Sequence, residues 1–519
     1  MAGQASMKSI FFQAHGLFRL SIRLAERAFP ILCIGIVCAT VYDMCHPNSH
    51  PAFSTVAVMA CTALLAVLLL RYNFIRQPRS TRVALIVLTA TGFCLRLLPI
   101  LFIQNEQISD FQTYSELAGA LCNGKGFAYT GRGALTGEVK LFLNRYDEKG
   151  PVRTAFRPPG APLLFASVYS ITGQKPVWGK ALNAVLGTLI GLFIFLLLYP
   201  ENPTLAFRSS LLWQIYPSAI IATNLIGTEI PFTACILLSA VFLKNGLRAK
   251  VRTPAKGGAL TILWSALAGL CIGYASLIRP AALFLMLCGI WSILASPHNF
   301  RKSIPAALVF TLGMSIPLTL WGVRNYKAFG VFEMQTTQIG IVSWQMTRNI
   351  ISPQEEQQYA PLDKKMHTST DEFELSRIGM EIGKNRLLIA AHKISFVKLL
   401  LLNYCKGWNH DYDALEWVSL PSEHAQAPPL SAAVYGFLKN SIQVFYLCAV
   451  ILAVFGGFAL RRFNCAENPG LLMLIFYLLV SSALLCVFQG QTRYHFPLMP
   501  VIFICASQGI SLLQQQIKS

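Results

Sequence analysis

Long apolar runs alternate along the chain with short polar connections and two long mixed segments. A hydrocarbon core about 30 Å thick takes roughly 20 apolar residues in a helix rising about 1.5 Å per residue. Runs near that length fall at 28–44, 52–70, 82–103, 177–198, 209–225, 228–244, 258–276, 281–297, 304–323, 436–460, 470–488 and 495–513. The pattern predicts an all-α polytopic membrane protein with about twelve crossings.

Two apolar stretches do not fit that count. From Ala161 to Thr172 the run reaches only about 18 Å at helical rise, too short to cross. Pro162 near its start and Gly173 after its end are helix punctuation, so the stretch reads as a short helix lying on the outer membrane surface. The run from Leu387 to Leu402 is long enough but carries His392, Lys393 and Lys398, and reads as an interfacial amphipathic helix.

Charge orients the spans. Arg71, Arg76, Arg79 and Arg82 share one short loop and Arg248, Lys250, Arg252 and Lys256 another, which places both in the cytoplasm. Arg301, Lys302, Arg461, Arg462 and the leading Lys8, Arg19, Arg23 and Arg27 join them if both termini are cytoplasmic, while loop 45–51 has no Lys or Arg and lies outside. The formal charge of +20 is therefore a topology signal, and no nucleic-acid partner is expected. Composition agrees, with 54% hydrophobic and 13% charged residues and a mean hydropathy of +0.52. The division that follows is 1–81, a cytoplasmic stretch with two extra spans; 82–323, a transmembrane module with a first outer loop at 104–176; 324–435, a second outer segment; and 436–519, the closing spans.

The two long segments lie on one face, so the chemistry is expected there. In the first, Phe111, Tyr114, Ala118 and Leu121 recur at helical spacing, forming an apolar face to rest on the bilayer. Ser109 and Gln112 match a capping box, which makes Asp110 the opening residue of that helix. A helix start favours the ionised carboxylate and weakens it as a base. Asp110 thus reads either as a solvated helix start or as a catalytic carboxylate.

Arg157, Arg279, Arg324 and Arg493 fall at predicted outer boundaries. A guanidinium there either forks onto a substrate phosphate or snorkels to headgroups. Lys180 and Asn183 share a helical face, and Lys180 is a further candidate for holding phosphate. Glu229, near an outer turn, serves as a second acid or pairs with an arginine for structure. The stretch KGWNHDYDALEW, Lys406 to Trp417, offers Trp408 and Trp417 to stack on sugar rings or to sit in the headgroup belt. Nine histidines and fourteen cysteines show no metal-ligand spacing or disulfide framework, and no Gly-rich nucleotide loop is present, so neither metal nor cofactor is expected.

A sparse ordered pattern emerges from these pieces: Asp110, Tyr114, Leu117 and Ala118; GKGF at Gly124 to Phe127; FRPPGAPLL at Phe156 to Leu164; IYPSAIIATNLIGTEIPF around Glu229; SLIRPAAL around Arg279; RNYKAFGVF after Arg324; and QTRYHFPLMP around Arg493. It resembles the GT-C glycosyltransferases, in particular the family 39 type that includes protein O-mannosyltransferases and the lipid A aminoarabinose transferase. The similarity runs from about 82 to 513, its specificity coming from order and topology together.

The resemblance implies a GT-C fold with surface helices in both large outer loops. It also implies transfer of a sugar from a polyprenyl-phosphate donor to an acceptor hydroxyl on the outer face of the plasma (inner) membrane. Asp110 would be the base and the configuration would invert. Arg157, Lys180, Arg279, Arg324 and Arg493 would hold donor phosphate, and Tyr114, Trp408 and Trp417 would meet acceptor or sugar. The acceptor would be a glycolipid, a glycan or a protein, with membrane lipids around the fold. In one respect the chain departs from the aminoarabinose transferases, which have Glu-Lys before the corresponding proline where this chain has Arg157 before Pro158. A second carboxylate, if one is needed, would come from Glu138, Asp147 or Glu229. The competing class is a transporter or flippase for lipid-linked sugars, against which stand the lack of a repeat between the halves and the scarcity of mid-span charge.

Overall fold

The computed structural model describes residues 78–130, 151–252, 257–295, 300–348, 350–369, 371–421, 428–458, 467–487 and 491–518. Predicted spans 28–44 and 52–70, and candidates Glu138 and Asp147, lie outside the described residues. Among the described residues, eight helices are long and apolar enough to cross a membrane: Arg82–Phe102, Pro176–Leu198, Glu229–Gly246, Gly257–Ile278, Ser303–Phe329, Ala432–Gly457, Pro469–Val487 and Thr492–Gln516. The protein is an integral, multi-pass membrane protein.

Two predicted crossings take another form. The run 209–225 is broken into Pro203–Gln214, Pro217–Ile221 and a 3₁₀ turn at Ala222–Asn224. Pro217 has no N–H to continue a helix, which frees carbonyls at the break. Arg96 supplies the partners from the neighbouring span, donating to Trp213 O and Gln214 O, each at 3.2 Å, and to Gln214 Oε1 at 2.8 Å. That accounts for a fully buried arginine in the middle of an apolar helix. The run 281–297 forms only a 3₁₀ turn and the thirteen-residue helix Leu283–Ala295, because Pro280 follows directly on the end of Gly257–Ile278.

Spans pack through small residues. Gly269 and Gly273 of Gly257–Ile278 face Phe310 and Met314 of Phe300–Phe329, and a Cβ at either glycine would collide with the partner backbone. Close backbone approach of this kind is how apolar helices associate without a hydrophobic driving force between them.

The described part of segment 104–176 forms α1 (Ser109–Cys122), a two-residue antiparallel pairing of β1 (Ala128–Tyr129) with β2 (Val152–Arg153), and α2 (Gly160–Thr172). Two expectations change here. The helix start has Ile108 as its cap with no side-chain bond, and Ser109 sits at φ 53°, so the predicted capping box does not form. The face of Phe111, Tyr114 and Ala118 is buried by protein rather than laid on lipid, with Phe111 meeting Trp417 edge to face at 5.6 Å.

In the second segment the run 387–402 is interrupted at His392 and Lys393. It divides between α3 (Glu372–Ala391) and α4 (Ile394–Trp408), and the two apolar helices around the break lie 117° apart. A short helix, α5 (Asp413–Ser419), follows.

The spans have two chemically distinct ends. At one, Glu201 pairs with Lys244 (2.9 Å) and Arg248 (2.6 Å). At the other, Lys180 bonds to Asn105, Glu229 pairs with Arg279, and Asp110 pairs with Arg493.

Candidate functional site

Asp110 stands in the first turn of α1 with both carboxylate oxygens engaged. Arg157 Nη2 donates to Oδ1 at 2.6 Å and Arg493 Nη2 to Oδ2 at 3.1 Å. These three residues are 47 and 383 positions apart in sequence and come from a helix start, a loop and a span start. Burial opposes the negative charge, but the two guanidiniums outweigh it and hold the Asp110 carboxyl below its ordinary value. The same charge pair holds the Arg157 guanidinium in its protonated form despite burial. One carboxylate between two arginines leaves a positive charge over, and Arg157 Nε, also buried, bonds to no oxygen.

Beside this cluster Glu229 pairs with Arg279, whose Nε also donates to Thr228 Oγ1 at 2.8 Å. Arg279 lies over the Tyr494 ring at 5.8 Å, next to Arg493. Tyr114, one turn beyond Asp110, is buried beneath Arg157, with the guanidinium 5.8 Å from its ring centre. Burial raises its phenol above the ordinary value, so it remains a neutral hydroxyl. Asp110, Tyr114, Arg157, Glu229, Arg279 and Arg493 are thus gathered at one place.

The other candidates have different partners. Lys180 donates to Asn105 Oδ1 at 2.8 Å and to Asn105 O at 3.3 Å, closing the turn that precedes α1. Arg324 donates to Thr154 O at 2.8 Å, Phe127 O at 2.9 Å and Asn325 Oδ1 at 2.9 Å, and stacks over Trp321 at 4.8 Å. Glu372 holds the same segment, just past β2, accepting from Ala155 N at 2.6 Å and Thr154 Oγ1 at 3.0 Å. Arg324 and Glu372 therefore brace the backbone two to three residues before Arg157. Trp408 is fully buried and stacked on His495, so its ring offers no face to solvent, whereas Trp417 is half-buried on the wall of a cleft.

That cleft, about 480 Å³, is lined by Asp110 and Arg493 and by residues of α5. Part of its lining was not legible as a site: Asp413, Glu416 and His410 join Trp417 there, with Lys406 and Gln491. Burial raises Asp413 above the ordinary carboxylate value, aided by the charge of Glu229, and raises Glu416 likewise. Burial, with His495 and Lys439 nearby, lowers His410 to about 3, so its imidazole is neutral. Behind the wall, His495 Nδ1 faces Gly407 O at 2.8 Å, which requires a proton on that nitrogen, and Nε2 faces Asp411 Oδ1 at 3.0 Å. Tyr216 donates to the same oxygen at 2.7 Å. This buried network ties loop 407–413 to the start of the span that carries Arg493. The signal was three carboxylates in six residues, Asp411, Asp413 and Glu416, within a stretch that drew notice for its tryptophans.

A scan against protein-family models finds no match, and a search of curated proteins finds none. Among solved structures, the chain is similar to the Archaeoglobus fulgidus oligosaccharyltransferase tethered with an acceptor peptide containing the NVT sequon, at a TM-score of 0.50 and 12% identity over 85% of this chain and 50% of that one. The oligosaccharyltransferase AglB from the same organism, in complex with an inhibitory peptide and a dolichol-phosphate, gives 0.49 and 13% over 84% and 50%. ArnT from Cupriavidus metallidurans bound to undecaprenyl phosphate gives 0.38 and 13% over 79% and 77%. The chain spans about half the length of the oligosaccharyltransferases it matches. At these identities the likeness establishes fold alone, and that fold is GT-C.

Proposed function

We propose that the chain is a membrane glycosyltransferase that moves a sugar from a polyprenyl-phosphate donor to an acceptor hydroxyl at the outer face of the membrane. The observation that carries the reading is the carboxylate of Asp110 shared between Arg157 and Arg493 on the edge of a cleft. A phosphodiester is a monoanion, and the surplus positive charge of this cluster matches it. Polyprenyl phosphate becomes the leaving group when the anomeric C–O bond breaks, and guanidiniums stabilise the charge that develops on its oxygens. The GT-C fold supports the reading by analogy, as do the carriers and acceptors named with the neighbouring structures.

In this mechanism the donor phosphate draws Arg157 and Arg493 toward itself and releases the carboxylate they hold. Asp110 then accepts the proton of the acceptor hydroxyl as that oxygen attacks the anomeric carbon from the side opposite phosphate. The new glycosidic bond forms as the old bond breaks, the phosphate leaves with the bonding pair, and configuration inverts. Arg279 keeps Glu229 and the adjoining wall in place, and Arg324 braces the segment that delivers Arg157. Lys180 holds the turn before α1.

Reconstitution of the full chain in proteoliposomes with an undecaprenyl-phosphate-linked sugar tests the assignment. A new glycoside is the expected product. Passage of the lipid-linked sugar across the bilayer with no glycoside formed would make the chain a transporter instead.

A further inference from the structure

Resting on that reading, the lining of the cleft allows the acceptor to be assigned a chemical class. Asp110 and Arg493 line it together with Asp413, Glu416 and Trp417 of α5. Asp413 and Glu416 are one helical turn apart and so present two carboxyls at neighbouring levels of the same wall. Asp413 accepts from Thr492 Oγ1 at 3.2 Å, the residue beside Arg493, which couples this wall to the donor side. Trp417 meets Phe111, next to Asp110, and so packs α5 against the start of α1. Asn409 and Gln491 add amides that both donate and accept.

We propose that this cleft is a carbohydrate subsite: the acceptor hydroxyl belongs to a sugar, with Asp413 and Glu416 receiving its neighbouring hydroxyls and Trp417 covering an apolar ring face. Three properties of the lining favour a sugar over the hydroxyl of a peptide. Each sugar hydroxyl is both donor and acceptor, and the lining pairs carboxyls with amides, whereas an extended peptide requires a run of backbone partners. An indole at the edge of a polar cleft suits the C–H face of a pyranose. The volume of 480 Å³ lies within the range of about 300–1,000 Å³ that small-molecule sites occupy.

Saturation-transfer NMR on the full chain in nanodiscs, with methyl α-glucoside, methyl α-mannoside and a serine-containing peptide as probes, tests the proposal. The glycosides are expected to receive saturation at their ring protons. Binding should weaken about tenfold in Glu416→Gln, in Asp413→Asn and in Trp417→Ala, the loss expected of one strong contact each, with Trp417→Phe restoring most of it. Saturation of the peptide but of neither glycoside, or glycoside signals that ignore all three substitutions, would overturn the carbohydrate assignment. Undecaprenyl phosphate binding, measured on the same samples, reports the donor side separately. Its absence would sink the transferase reading and leave a sugar-binding cleft.

Discussion

Arg157 and Arg324 occupy similar places in the sequence, each beside a predicted outer boundary and within a pattern segment, yet they are used differently. Arg157 spends its guanidinium on a carboxylate that lines the cleft and keeps one buried N–H unbonded. Arg324 spends its own on two backbone carbonyls and an amide, and stacks on Trp321. An ion pair at the edge of a cleft is exchangeable, because an incoming anion offers the guanidinium an equivalent partner. Carbonyls of a braced segment offer no such exchange. Position in the sequence therefore identifies candidate arginines, and the partner distinguishes an exchangeable ion pair from a structural brace.

The contrast breaks most sharply under substitution. Arg157→Lys and Arg493→Lys should each lower kcat/KM by about a hundredfold, as loss of one oriented donor to a developing oxyanion does. Arg324→Lys should leave transfer within about tenfold while costing about 1–3 kcal/mol of stability through carbonyls left without donors. Steady-state kinetics beside thermal unfolding in nanodiscs separates the two, and equal activity losses would erase the distinction.

A subtler contrast lies in pH. The Asp110 carboxyl is held below its ordinary value of 3.8 in the free protein, so its base form persists as pH falls and is lost only below that value. The acid limb of kcat/KM, which reports free enzyme, should lie below pH 3.8. Once phosphate takes the arginines the carboxyl rises, so the acid limb of kcat should fall at a higher pH than that of kcat/KM. Coincident limbs would mean that Asp110 keeps its partners through catalysis. The smallest effect is expected at Glu372→Gln, which keeps the shape but weakens a charge-assisted bond to Ala155 N. About 1 kcal/mol of stability and little activity should be lost, by the same assays.

The fold was largely legible because membrane spans announce themselves by length and composition alone. Where the reading of 209–225 as one span fell short, the cause was local: Pro217 ends a helix, and Arg96, an intramembrane cation with no evident task in sequence, caps the break. The capping box failed for a similar reason, since Ser109 takes a left-handed conformation that no pattern of residue types reveals. At the site, Asp110, Arg157 and Arg493 could be named separately from sequence, but their shared geometry could not. The carboxyls of α5 were hidden by composition, because Asp413 and Glu416 in a long polar segment look like any solvated face until burial is known.

The exchange of partners at Asp110 is tested most directly by Asp110→Asn, with undecaprenyl phosphate affinity and sugar transfer measured on one preparation. Removing the carboxylate frees both arginines, so the variant should bind undecaprenyl phosphate more tightly than the parent while transfer falls by about 10²–10⁴, the usual worth of a general base. Weaker lipid phosphate binding, or transfer that survives unchanged, would contradict the account.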